Sequence, residues 1–203
     1  MEISSEETNI QNHGHLEEES LINIWHLNNP KTEKYYCIKN QILGANFSWI
    51  YNHSSITDNH KDDKYTDASY YSHCFIQRPE DGYYSHVNSP MTDMVVEVLE
   101  EIIINNKSSI PINSSKHFWT RLNANTTHPS TGIQFTTPHV DHGFEHYNLI
   151  LYLNDCDGET IVEGENIVPE EDKVVIFKGK HHMKLPSSGR RVILVGTIIT
   201  ERD

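Results

Sequence analysis

Basic residues are scarce in this chain. Its 203 residues include 16 lysines and arginines against 29 aspartates and glutamates, a formal charge of −13. Non-specific binding to nucleic acid relies on cations that neutralise phosphates, so a nucleic-acid partner is not expected, although the balance leaves room for a local basic pocket. Cysteines are few. Cys37, Cys74 and Cys156 are odd in number and widely spaced, which argues against a disulfide framework or a zinc site and for reduced thiols. Long apolar runs are missing too. The stretch Val192–Ile199 is far shorter than the roughly 20 residues a membrane helix needs. The segment Met1-Glu2-Ile3-Ser4-Ser5-Glu6-Glu7 has no basic region followed by an apolar one, so no secretory leader is expected and a cytoplasmic location is. At 36% hydrophobic and 22% charged residues, the composition is that of a globular protein.

What the chain has in quantity is histidine, 14 in all. His13, His15, His53 and His60 lie among Asn, Ser, Asp and Glu and read as surface residues. Residues 1–20 read as a flexible acidic flank, and residues 21–203 as a single domain. Leu21–Leu27 has the pattern of a strand, with Tyr35–Ile38 as its hairpin partner. The polar stretch 52–69 reads as a long loop, and Asn52–Tyr71 as a cover over a substrate. A helix is expected over Met91–Asn106, capped by Thr92 or Asp93, with Met94, Val95, Val98, Leu99 and Ile102 forming its core stripe.

After Pro111 the pattern changes to short β-rich runs: His117–Asn125, Gln134–His139, Tyr147–Asn154, Glu159–Glu163, Lys173–Lys178 and Arg191–Thr200. Successive short strands with no helical pattern between them predict a mainly β fold. The expected form is a jelly-roll barrel, or double-stranded β-helix, over about residues 117–200 with N-terminal helical support.

His139-Val140-Asp141 carries the chemistry. On extended backbone, side chains two residues apart face the same way, so an imidazole and a carboxylate can reach one ion. With so many histidines the triplet alone is weak. Some 40 residues later, His181-His182 offers a third ligand and Arg190-Arg191 a guanidinium at the start of an apolar strand. Two histidines and a carboxylate on one face of an octahedron leave three positions open, the arrangement of non-haem Fe(II) oxygenases. Arginine suits the far carboxylate of 2-oxoglutarate because its planar fork donates two parallel hydrogen bonds. Neighbouring strand residues face opposite ways, so one histidine and one arginine of each pair should point inward.

The region from about Phe118 to the C-terminus resembles the Fe(II)- and 2-oxoglutarate-dependent dioxygenases, in particular the prolyl-hydroxylase-like branch and small bacteriophage-encoded members. The resemblance rests on His139-x-Asp141, Tyr152-Leu153-Asn154, Gly158-Glu159-Thr160, Phe177, His182, Pro186 and Arg191. It implies Fe(II) held by His139, Asp141 and His182, with 2-oxoglutarate on Arg191 and Tyr152. His182 is favoured over His181 because Pro186 and Arg191 follow it at a family spacing of four and nine residues. The implied reaction hydroxylates a C–H bond with dioxygen while 2-oxoglutarate is decarboxylated to succinate, with ascorbate as a reductant. The leading substrate is a peptidyl proline or other protein side chain; a free amino acid, small metabolite or nucleobase is the alternative. A phage origin would put the protein in a host cytoplasm. A cupin-like metalloenzyme and a non-catalytic binding barrel are the rival classes. Asn123 and Asn125 receive no role, and His142 and His146 read as loop residues near the substrate.

Overall fold

The computed structural model describes residues 23–54, 65, 67–79, 89–132 and 134–201; the acidic flank and most of the expected cover lie outside them. The elements are β1 (Ile24–Leu27), α1 (Glu33–Leu43), β2 (Ile50–Asn52), β3 (Tyr70–Ile76), α2 (Thr92–Asn105), β4 (His117–Thr127), β5 (Tyr147–Tyr152), β6 (Thr160–Val162), β7 (Glu165–Ile167), β8 (Val174–Phe177), β9 (His181–Met183) and β10 (Arg191–Thr200). Among the described residues, one antiparallel sheet runs β1-β8-β5-β10-β4-β3-β2 and a smaller one runs β7-β6-β9. Together they form the expected jelly-roll architecture, with two helices among the described residues.

Strand alternation divides the apolar residues into two cores. Leu149 and Leu151 of β5, Val174 and Ile176 of β8, and Val192 and Leu194 of β10 pack with the helices. The residues between them, Ile150, Tyr152, Val175, Phe177, Ile193 and Val195, turn inward and meet Val162 and Ile167 of the small sheet. In α2, Val95, Val98, Leu99, Ile102 and Ile103 are buried. The β-branched residues among them cost up to about 0.7 kcal/mol each in helix propensity. Burial of each such side chain contributes about 1.5–3 kcal/mol, so packing decides the conformation.

Several expectations are corrected. Tyr35–Ile38 is not a hairpin strand but part of α1: Thr32 caps the helix by accepting from the Tyr35 amide, and Tyr35, Ile38 and Ile42 make one buried face. Its period is helical, and β1 pairs with β8 instead. Neither Thr92 nor Asp93 caps α2. Met91 occupies that position without a side-chain bond, and the Thr92 hydroxyl donates to the Ser89 carbonyl at 2.7 Å. At the ends of the expected cover, Asn52 belongs to β2 and Tyr70 and Tyr71 to β3. Gln134–His139 forms isolated bridges at Phe135 and His139 rather than a strand. No helix among the described residues is long and apolar enough to cross a membrane.

Two polar clusters fasten the helices to the barrel. Asp172, at a left-handed turn (φ 71°), accepts from Tyr35 and Lys39 of α1, and Lys31 lies 3.1 Å from it. On α2, Glu100 accepts from Trp119 Nε1 at 2.7 Å and pairs with His117 Nε2 at 3.0 Å. The Glu100 bond raises the His117 pKa against burial; burial works to raise the Glu100 pKa, but the His117 and Trp119 bonds bring it below its ordinary value. The raised His117 pKa contributes stability at pH below the ordinary histidine value, lost as pH rises through the folded value. The lowered Glu100 pKa contributes above the ordinary carboxylate value, lost as pH falls. Glu100→Gln should therefore cost roughly 1–3 kcal/mol near pH 6. In urea unfolding from pH 4 to 9, the difference from wild type should narrow toward both ends; a gap constant with pH would contradict this.

Candidate active site

His139 and His181 face each other across an antiparallel bridge in which each amide donates to the other's carbonyl at 2.9 Å. Directly opposed residues project to the same face, so the two rings meet with centroids 4.7 Å apart. His139 Nδ1 donates to the Thr137 carbonyl at 2.9 Å, and His181 Nδ1 to the Gly179 carbonyl at 3.3 Å. Each bond sets the tautomer, leaving Nε2 with its lone pair for an ion. Burial pushes the His181 pKa down to about 4 despite the Asp141 charge, so the ring is neutral, as a ligand must be.

Asp141 completes the group: one donor atom from each of His139, Asp141 and His181 lies within 4.8 Å of the others. Its Oδ2 is 3.5 Å from His181 Nε2, while Oδ1 accepts from Arg121 Nη1 at 2.6 Å and Arg78 Nη2 at 2.5 Å. Burial alone would raise the carboxyl pKa, but Arg121, His181 and Arg78 hold it well below the usual carboxylate range. The next residue is tied down as well. His142 and His146 lie on the connection before β5, as expected of loop residues, but are buried: His142 Nε2 bonds Thr197 Oγ1 at 2.7 Å and His146 packs beside it.

His182 is not in this group. It follows His181 in β9, so its side chain turns away from the bridge partner, toward the rings of Phe135 and Tyr65 at 6.1 and 6.0 Å. The histidine expected as third ligand is thus displaced by its neighbour. The interval to Arg191 is ten residues, not nine.

A cavity of about 130 Å³ joins this group to Arg191, Thr160, Asn125 and Ile193. Arg191 is 4% exposed, and Arg190 on the alternate face instead donates to the Leu43 carbonyl. The Arg191 guanidinium donates through Nε to the Gly158 carbonyl at 3.0 Å and through Nη2 to Thr160 Oγ1 at 2.7 Å. A Cβ at Gly158 would stand 3.1 Å from Arg191 Cδ, so glycine there admits the arginine. Tyr152 lies beneath it, with Arg191 Cζ 5.4 Å from the ring centroid and the phenol bonded to Thr160 Oγ1 at 2.7 Å. The hydroxyl on the cavity wall is therefore that of Thr160, behind which Tyr152 stands. No salt-bridge partner for Arg191 occurs among the described residues, so the buried cation suits an anionic ligand.

Sequence reasoning assigned no role to Thr160, Arg121 or Arg78. Alternation along Arg121-Leu122-Asn123-Ala124-Asn125 carried a signal for Arg121, since Leu122 and Ala124 pack on the helix side and Arg121 and Asn125 line the cavity. Arg78 has no local signal. The donor set fits Fe(II) and the buried guanidinium fits a dicarboxylate, on the chemistry of these residues alone.

No family model matches the sequence, and no curated protein matches it. Solved structures do. A prolyl hydroxylase from Trichoplax adhaerens, in complex with a hypoxia inducible factor oxygen degradation domain peptide fragment, is 14% identical over 89% of this chain and 84% of its own, with a TM-score of 0.58. The non-haem alpha ketoglutarate dependent epimerase SnoN from nogalamycin biosynthesis is 10% identical over 88% and 77%, at 0.54. An oxidoreductase of the 2OG-Fe(II) oxygenase family from Burkholderia pseudomallei is 12% identical over 74% and 71%, at 0.51. The chain has the fold of the 2-oxoglutarate-dependent Fe(II) oxygenases, with a His-x-Asp…His triad in its cavity.

Proposed function

We propose that the protein is an Fe(II)- and 2-oxoglutarate-dependent dioxygenase that hydroxylates an unactivated C–H bond, with a peptidyl proline or another protein side chain as substrate. The observation that carries this is the shared cavity: three ligand-type side chains on one wall and a buried arginine without an acidic partner among the described residues on another. His139, Asp141 and His181 would hold Fe(II), and Arg191 with Thr160 would hold the far carboxylate of 2-oxoglutarate. Bound there, the metal and co-substrate supply oxidation of the substrate by dioxygen, with release of succinate and carbon dioxide. The chain's own part is positional. Thr137 and Gly179 fix the imidazole tautomers, Arg121 keeps Asp141 ionised, and Tyr152 orients the Thr160 hydroxyl.

The peptide preference rests on the likeness to the peptide-bound prolyl hydroxylase. An epimerase of the same fold shows why the assay should score co-substrate turnover as well as hydroxylated product. Succinate release from 2-oxoglutarate should require Fe(II) and be stimulated by proline-containing peptides more than by free amino acids or nucleic acids. Turnover of substrate without 2-oxoglutarate would overturn the proposal in favour of a cupin-like metalloenzyme.

A further inference from the structure

We propose that Arg78 is a positioning residue for the metal-binding carboxylate, acting with Arg121 to commit one oxygen of Asp141 and turn the other toward the two imidazoles. The inference rests on the metal centre proposed above. Arg121 reaches Asp141 from β4 in the barrel wall, through Nη1 to Oδ1 at 2.6 Å. Arg78 comes from the segment after β3 and forks over the same residue, with Nη2 on Oδ1 at 2.5 Å and Nη1 on the backbone carbonyl at 3.1 Å. The fork ties side chain and backbone together, which a single donor cannot do. Oδ1 thus meets two guanidiniums while Oδ2 faces His181 Nε2. A carboxylate held this way offers one oxygen to a cation.

Two guanidiniums also repel a cation, so the sign of the effect must be argued. The Arg121 side chain is 10% exposed and that of Arg78 is 33% exposed. Water and salt screen much of the Arg78 charge. Its repulsion is therefore small, whereas losing a partner that orients a metal ligand typically weakens metal binding by about 10–100-fold. For Arg78, orientation outweighs repulsion.

Calorimetric titration with Co(II), read beside the visible Co(II) spectrum and the melting temperature of the metal-free protein, tests this. Arg78→Gln should weaken Co(II) binding at least about fivefold and change the spectrum, with little change in melting temperature. Arg78→Lys guards against misfolding of the glutamine variant. It should also bind more weakly than wild type, because a freely rotating ammonium lacks the rigid planar fork that fixes side chain and backbone oxygens together. A smaller loss or tighter binding in Arg78→Gln, or wild-type affinity in Arg78→Lys, overturns the inference. Asp141→Asn separates the two levels: if it binds Co(II) as tightly as wild type, or if wild type binds none, it is the metal centre that fails.

Discussion

His181→Ala is expected to abolish binding of Mn(II) or Fe(II) and succinate release with it, whereas His182→Ala should retain both. The reason lies in the backbone. His181 exchanges both amide–carbonyl bonds with His139, which puts their rings on the same face beside Asp141, and strand alternation sends His182 elsewhere. Removing one imidazole leaves one nitrogen and one carboxylate oxygen from this group, too few for a stable divalent site. His182 lines the cavity, so its loss should affect substrate or co-substrate binding rather than the metal. Calorimetry with Mn(II) and a succinate assay on both variants give the ranking. The reverse order would show that the strand has slipped by one residue.

Arg191→Ala should be the next most damaging change, and its effect should fall on 2-oxoglutarate. The guanidinium is buried, held by Gly158 and Thr160, and without an acidic partner among the described residues. Truncating one member of a buried charge pair costs about 2–5 kcal/mol, so the 2-oxoglutarate dissociation constant should rise about 30-fold or more. Metal binding in the absence of co-substrate should be nearly unchanged, since Arg191 touches none of the three ligands. Arg190→Ala, which loses only a bond to the Leu43 carbonyl, should stay within a few-fold of wild type. Equal effects at the two positions would contradict the assignment.

The jelly-roll was legible because its strands are β-branched and aromatic runs separated by turn residues, and β10 has the expected bounds, Arg191–Thr200. His139 and Asp141 were legible because a two-residue spacing on extended backbone is a local property. The third ligand was not, because it depends on which residue of β9 stands opposite His139. That is a register between residues 42 positions apart, and a slip of one exchanges His181 for His182. Family spacing pointed to His182, whereas the group that could hold an ion contains His181. Arg78 was illegible for the same reason, since its partner lies 63 positions away. Helix α1 was misjudged because Tyr35–Ile38 is too short to distinguish periods, and the decisive partners, Asp172 and the helix-side core, are remote.

A crystal structure of the protein grown anaerobically with Mn(II) and 2-oxoglutarate, with anomalous scattering used to place the metal, tests the central claim most directly. The ion should be bound by His139 Nε2, an Asp141 oxygen and His181 Nε2, with the far carboxylate of 2-oxoglutarate on Arg191 and Thr160. A metal held by His182, or a dicarboxylate bound away from Arg191, would contradict it.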